Sequence, residues 1–139
     1  MAKSPLCHPL NCSVIRKFIE NLEKIISSNT SVLSSNIEKH FGPSSDTVYL
    51  RGSILFINSS TLDIAILAKE SLKAISIEKY RFHYMDKHSQ MLFRYDDAPH
   101  HHELSSFPHH KHVGNRTVPS PQPDLKDVFN EINAIILKK

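Results

Sequence analysis

Apolar positions near the start of the chain follow the spacing of an amphipathic helix. From Ser13, a residue type that caps helices, apolar side chains recur every three or four positions. They are Ile15, Phe18, Ile19, Leu22, Ile25 and Ile26. This pattern predicts a helix with one buried stripe. A second, shorter helix is predicted over residues 30–41, because Gly42 and Pro43 follow as helix terminators.

From Thr47 the apolar pattern changes to a period of two, with β-branched and aromatic residues on both sides of the turn sequence Asn58-Ser59-Ser60-Thr61. We predict a β-hairpin with Ser59 and Ser60 as its loop. One mostly apolar face then pairs Ile57 with Leu62, Leu55 with Ile64 and Ser53 with Ile66. The mixed opposite face pairs Phe56 with Asp63 and Leu50 with Lys69.

A second hairpin is predicted around Asp86-Lys87-His88-Ser89, with strands over residues 78–85 and 90–96. Its aromatic face pairs Tyr84 with Met91, Phe82 with Phe93 and Tyr80 with Tyr95. We expect that face to be packed in the core. The other face carries Arg81, His83, Leu92 and Arg94, and Asp96 faces Lys79. Here Arg81 lies opposite Arg94, an arrangement of like charges that predicts a bound anion such as phosphate.

The last part of the chain contains a long irregular segment and then a helix. Residues 97–123 hold two histidine clusters and several prolines, which predicts a loop that is functional or disordered. Asp124 then caps a helix whose apolar stripe is Leu125, Val128, Phe129, Ile132, Ile135 and Ile136.

Together these elements predict an α+β fold, an antiparallel meander of about four strands flanked by N- and C-terminal helices. The single domain would comprise a helical part (1–45), two hairpins (46–96), a His/Pro-rich loop (97–123) and a C-terminal helix (124–139). The aromatic hairpin face should meet the helices. The polar face, with residues 97–116 over it, should form the active groove.

Composition narrows the class of protein. A chain of 139 residues with 40% hydrophobic and 22% charged residues suits one folded domain and excludes a two-domain enzyme. Three glycines and eight prolines without a repeat argue against a collagen-like or disordered chain. No apolar run approaches the roughly 18 residues of a membrane helix, and residues 1–13 contain no apolar block before a cleavage site. We therefore expect a cytoplasmic protein without membrane contact.

Charge and residue counts point to local chemistry. The net charge of +3 is too small for a DNA-coating protein. Eight of the ten histidines lie between His83 and His112. We expect no functional role for Cys7 and Cys12, because a cytosolic chain keeps thiols reduced and a structural zinc needs four ligands.

Three interpretations of the histidine-rich half remain open from the residues themselves. Histidines can act as acid and base in phosphodiester cleavage, with arginine and lysine stabilising the phosphorane. The second interpretation is metal binding by a set of His, Asp and Glu residues, although their spacing matches no familiar zinc signature. These are Asp96, Asp97, His100, His101, His102, Glu103, His109, His110 and His112. The third interpretation is a surface loop that happens to be rich in histidine.

Three runs of sequence resemble the TumE-like toxins of prokaryotic toxin–antitoxin pairs. They are YRFHYMD at 80–86, FRYDDAPHH at 93–101 and FPHHKHVG at 107–114, and the resemblance covers about residues 47–137. It implies a growth-inhibiting toxin, RNA cleavage as its activity and a helix-turn-helix antitoxin as its partner. A homo-oligomer is a further option.

With that resemblance, the candidate site divides into three groups. The expected catalytic residues are His83, His110, His112 and Tyr84. The expected phosphate- or RNA-binding residues are Arg81, Arg94 and Lys111, and the supporting residues are Asp96, Asp97, His100 and His101.

We expect no cofactor and metal-independent cleavage, because the three cations already supply positive charge and adjacent histidines cannot all turn to one side of an extended chain. The alternatives are a metal-dependent nuclease, a nucleotide-modifying toxin and a non-catalytic binding module.

Overall fold

The computed structural model describes residues 13–138, so Cys7 and Cys12 lie outside the described residues. The elements are α1 (Val14–Ser28), β1 (Val32–Phe41), β2 (Thr47–Phe56), β3 (Thr61–Ser71), β4 (Ala74–Met85), β5 (Met91–Asp96), β6 (His110–Val113), β7 (Arg116–Pro119) and α2 (Leu125–Lys138). All neighbouring strands pair antiparallel, in sequence order. The α+β meander between terminal helices is confirmed. The sheet has seven strands in the described residues, whereas about four were predicted.

Both terminal helices form where the apolar spacing predicts them. The Ser13 hydroxyl accepts a hydrogen bond from the Arg16 amide at 3.1 Å, and an Asp124 carboxylate oxygen accepts one from the Asp127 amide at 2.8 Å. The buried residues of α1 are Ile15, Ile19, Leu22 and Ile26, and those of α2 are Leu125, Val128, Phe129 and Ile132. Neither helix is long and apolar enough to cross a membrane, among the residues that the structure describes.

The predicted helix over residues 30–41 is wrong, because this segment forms the edge strand β1. Only the side chains of Val32 and Ile37 are partly buried in β1. Burial along this segment therefore follows neither a helical stripe nor a period of two. Pairing with β2 decides its conformation. Gly52 permits that pairing, since a Cβ at this position would clash with the carbonyl oxygen of Asn36.

The first hairpin exists, but its predicted register is wrong. The Phe56 amide donates to the Ser60 carbonyl at 2.9 Å, and Ser59 has a φ of 70°, which gives a three-residue loop. Leu62 therefore pairs with Ile54 rather than Ile57. The shift is an odd number of residues, so the buried side chains of β2 are Val48, Leu50, Ile54 and Phe56.

The second hairpin also has a different register, with a different consequence. The turn closes through a bond from the Asp86 amide to the Gln90 carbonyl, with Ser89 at a φ of 63° and a bulge at Tyr84/Met85. The shift here is two residues, so each side chain keeps its predicted face. Tyr80, Phe82, Tyr84 and Phe93 are buried, which confirms the aromatic face as core.

The segment 97–123 is only partly irregular. Residues 110–113 and 116–119 form the β6–β7 hairpin, which adds two strands beside β5. The core lies between the helices and one face of the sheet. Within residues 13–138 the opposite face carries no helix, and we call it the open face.

Candidate functional site

Three adjacent strands bring the polar residues of the open face into two cross-strand rows. In the first row, His83 of β4 lies opposite Arg94 of β5, which lies opposite His112 of β6. The second row runs from Arg81 through Asp96 to His110. Residues two apart on a strand share a face, so the six side chains of these rows form one continuous surface.

The predicted pair of facing arginines is wrong. The two-residue shift in register places Arg81 opposite Asp96, and Arg94 opposite His83. Asp96 is buried, with 6% of its surface exposed, and accepts a hydrogen bond from Nε of Arg94 at 3.1 Å. Its other carboxylate oxygen accepts one from the Ala98 amide at 3.1 Å. The anion expected between two arginines is thus replaced by a carboxylate of the chain itself.

His83 is partly buried between charged neighbours. Burial lowers its pKa below the usual 6.5, and the guanidinium of Arg94 lowers it further. Asp63, which pairs with His83 from β3, acts to raise this pKa, and Arg81 acts to lower it. The imidazole is therefore neutral near pH 7 and able to accept a proton.

His101, His110 and His112 form a compact group, which we call the histidine cluster. One ring nitrogen from each lies within 4.8 Å of the others. His110 and His112 face the same side because they are two apart on β6, and the loop before β6 brings His101 to them. Burial lowers the pKa of His112, with a further contribution from Arg94. Of the three consecutive histidines at 100–102, only His101 joins this cluster.

A groove of about 670 Å³ lies beside the two rows. The sheet contributes Arg81, Arg94 and Asp96 to it, and the loop contributes Pro99, His100 and Phe107. Loop residues and both arginines thus line the same groove. His83 is outside the residues that line this groove.

Lys111 lies on the opposite side of the sheet from the two rows. Alternation along β6 directs it to the helices, where its Nζ lies 2.7 Å from a carboxylate oxygen of Glu131 on α2. Nζ also lies 4.9 Å from the ring centre of Tyr95. Burial acts to lower the pKa of Lys111, but the hydrogen bonds to Glu131 and Tyr95 outweigh it and the pKa is raised. The structure therefore separates Lys111 from the other predicted phosphate-binding residues.

Two more predicted site residues serve local structure. Tyr84 is fully buried on the helix side, and its hydroxyl donates to Ser60 at 2.7 Å. Asp97 accepts a hydrogen bond from the Tyr80 amide at 3.1 Å, which continues the contact between β4 and β5 past the end of the ladder. Neither belongs to the two rows.

Sequence reasoning missed two residues that lie beside the imidazoles. Asp63 faces His83, and Thr117 lies beside His112. Both depend on strand pairing between β3 and β4 and between β6 and β7, which the sequence pattern does not specify. Glu103, named above as a possible metal ligand, lies beside His101.

A family model described as Toxin TumE matches residues 22–136, which is most of the chain. No curated protein and no solved structure matches.

Proposed function

Because this chain belongs to the TumE toxin family, we propose that it is the toxin of a toxin–antitoxin pair and that it cleaves RNA on the open face of β4 and β5. The observation that carries this proposal is the cross-strand pair of His83 and Arg94. In this pair a neutral imidazole lies beside a permanent cation, on a face that neither α1 nor α2 covers.

The proposed reaction uses the 2′-hydroxyl of RNA as its nucleophile. His83 accepts the proton of that hydroxyl while its oxygen attacks the phosphorus. The bond from phosphorus to the 5′-oxygen breaks, and the leaving oxygen takes a proton from water. The products are a 2′,3′-cyclic phosphate and a 5′-hydroxyl end. Negative charge that develops on the phosphorane is stabilised by Arg94.

Arg81 and Arg94 give the phosphate site its charge. Both line the groove, and a guanidinium binds two phosphate oxygens at once. Arg81 has no ion-pair partner within 4.0 Å in the residues that the structure describes, so its charge is available to RNA. His110 is 1% exposed and therefore does not contact substrate in this proposal, although the sequence suggested a catalytic role.

The test compares RNA with chemically blocked RNA. Purified protein is incubated with a labelled single-stranded RNA, with the same sequence carrying 2′-O-methyl groups, and with the corresponding DNA. We expect cleavage of the unmodified RNA alone, and a cyclic phosphate end detected by mass spectrometry. Arg81→Ala and Arg94→Ala should each reduce cleavage. Arg51→Ala is the matched control, because Arg51 on β2 is an exposed arginine of the open face.

The other chemistries would give different results. Cleavage of DNA or 2′-O-methyl RNA would contradict the 2′-hydroxyl mechanism and favour a metal-dependent nuclease. A mass increase without cleavage would indicate a nucleotide-modifying toxin. Binding of RNA with no change in its length or mass would indicate a non-catalytic module.

The partner in this proposal is an antitoxin with a helix-turn-helix fold. Membership of a toxin family supports an antitoxin partner. The helix-turn-helix fold of that partner is what the resemblance described above implies, and no residue of this chain specifies it. Expression of the toxin alone should stop growth, and expression together with the neighbouring gene should restore it. His83→Gln should abolish the growth arrest without preventing complex formation. Growth arrest that persists in His83→Gln would contradict the proposed site.

A further inference from the structure

The histidine cluster contains a buried nitrogen without a hydrogen-bond partner. His110 is 1% exposed, and its Nε2 forms no hydrogen bond among the described residues. Asp96 Oδ1 lies 2.8 Å from this nitrogen, but not in hydrogen-bonding geometry. An unsatisfied buried polar atom is costly, so its presence beside a carboxylate needs an explanation.

The outer hydrogen bonds of the cluster assign the protons. Nδ1 of His110 lies 2.9 Å from the Pro108 carbonyl, which only accepts, so Nδ1 carries a proton. Nδ1 of His101 lies 3.3 Å from the Glu103 carboxylate, which gives the same assignment. Nε2 of His112 lies 3.3 Å from Arg94, a donor only, so Nδ1 of His112 donates to Thr117.

In all three imidazoles Nδ1 therefore carries the proton and Nε2 the lone pair, and the lone pair of His112 accepts a hydrogen bond from Arg94 that a metal ion would displace. This pattern, Nδ1 held by an oxygen and Nε2 left as a ligand, is the usual arrangement of histidines that bind metals. A tetrahedral zinc ion with bonds of about 2.0–2.1 Å would hold its ligand atoms about 3.3 Å apart. The nitrogens of the cluster lie within 4.8 Å of one another, so binding requires the partly exposed rings of His101 and His112 to move inward by up to about 1.5 Å.

We propose that His101, His110 and His112 bind one divalent transition-metal ion of the zinc type, beside the carboxylate of Asp96. Oδ1 of Asp96 lies 2.8 Å from Nε2 of His110 and Oδ2 lies 3.6 Å from Nε2 of His112, so the carboxylate borders the cluster without belonging to it. Three protein ligands with the fourth position left to water are a common zinc arrangement. The ion gives the unpartnered nitrogen of His110 its missing contact.

This site goes beyond the proposed RNA cleavage and takes no part in its bond-breaking step. His101 belongs to the loop that lines the groove, whereas His110 and His112 belong to the sheet. The ion would therefore fasten the loop to β6. Arg94, which lines the groove, also contacts Asp96 and His112, so an ion at the cluster would compete with its guanidinium for these two contacts.

The test measures metal binding in the absence of RNA. The full chain carrying Cys7→Ser and Cys12→Ser, without an affinity tag, is stripped with chelator and titrated with Zn²⁺ by calorimetry and with Co²⁺ by visible absorption. The two serine substitutions remove thiols that also bind these ions. We expect one equivalent bound and the absorption bands of tetrahedral Co²⁺. The melting temperature should rise with Zn²⁺, because the ion binds the folded state.

Variants locate the site. His101→Ala and His112→Ala should each weaken Zn²⁺ binding more than about 100-fold, since even outer-shell changes cost 10–100-fold. Glu103→Gln, which alters only the positioning of His101, should weaken it about tenfold. His102→Ala is the matched control, because His102 stacks on Phe107 next to His101 and lies outside the cluster.

Absence of binding in the parent protein would overturn the proposal, and so would an equal loss of affinity in His102→Ala. Melting temperatures of the stripped variants show whether each one folds. If His112→Ala fails to fold, His101→Ala decides the result alone, because His101 lies in a loop. Because RNA is absent, a negative result here leaves the proposed cleavage untouched, and loss of cleavage in His83→Gln leaves metal binding untouched.

Discussion

The two faces of β4 and β5 carry opposite kinds of residue, although they alternate along the same strands. On the helix side, Phe82 and Tyr84 are buried with at most 3% of their surface exposed. On the open side, Arg81 and His83, which alternate with them, keep contact with solvent. Strand alternation therefore places core residues and polar surface residues at adjacent positions of one strand. Substitutions on one face should change stability, and those on the other should change activity.

The largest expected effect comes from the helix side of β2. Phe56→Ala should lower the free energy of unfolding by about 3–5 kcal/mol, because it opens a cavity beside the rings of Tyr84 and Phe129. The neighbouring Ile57→Ala should change it by less than about 0.5 kcal/mol, since Ile57 is 58% exposed. Urea denaturation measures both. Equal losses in the two variants would contradict the observed register of β2 and β3.

His83 gives the largest expected effect on the open face. His83→Gln should reduce RNA cleavage by about 10²–10⁴-fold, because it removes the proton acceptor. The same variant should unfold at nearly the same urea concentration as the parent, since His83 contributes little to the core. Rates from initial time courses and unfolding curves should be measured on the same preparations.

The adjacent residue Tyr84 provides the contrasting substitution. Tyr84→Phe removes the buried hydrogen bond to Ser60 and should cost about 1–2 kcal/mol of stability. Cleavage should remain, because the hydroxyl points to the helix side. A folded Tyr84→Phe variant without cleavage would instead support the catalytic role expected from the sequence.

Lys111 tests the same separation of faces on β6. Lys111→Met should lower stability by about 1 kcal/mol, because Lys111 contacts Glu131 and the Tyr95 ring. A double-mutant cycle with Glu131→Gln isolates the ion pair. RNA binding should be unchanged in Lys111→Met. Weakened RNA binding with unchanged stability would instead support the phosphate-binding role of Lys111 that the sequence analysis expected.

The smallest expected effect is a change in a single pKa on the open face. NMR titration should give His83 a pKa below 6.5, and Arg94→Gln should raise it, because burial remains while the nearby cation is lost. Since the folded state disfavours protonated His83, its contribution to stability is present above pH 6.5 and is lost as the pH falls through the lowered pKa. A pKa of His83 that is unchanged in Arg94→Gln would contradict the pairing of these residues.

Much of the candidate site could be foreseen from the chain. Arg81, His83 and Arg94 were placed together on one face because period-two alternation survives a register error of two residues. The histidine cluster could not be foreseen in the same way. Alternation explains why His110 and His112 share a side, but only the path of the loop brings His101 to them. Lys111 was misplaced because β6 itself was not predicted.

The sequence by itself determined the terminal helices, the presence of two hairpins and the aromatic face of the second hairpin. These features depend on local periodicity and capping, which neighbouring residues in the chain specify. Tertiary structure alone decided the edge strand β1, the register of both hairpins and the meeting of Asp96 with the histidine cluster. Those features depend on backbone pairing and loop closure between distant segments, and a register shift changes them without changing the pattern of residues.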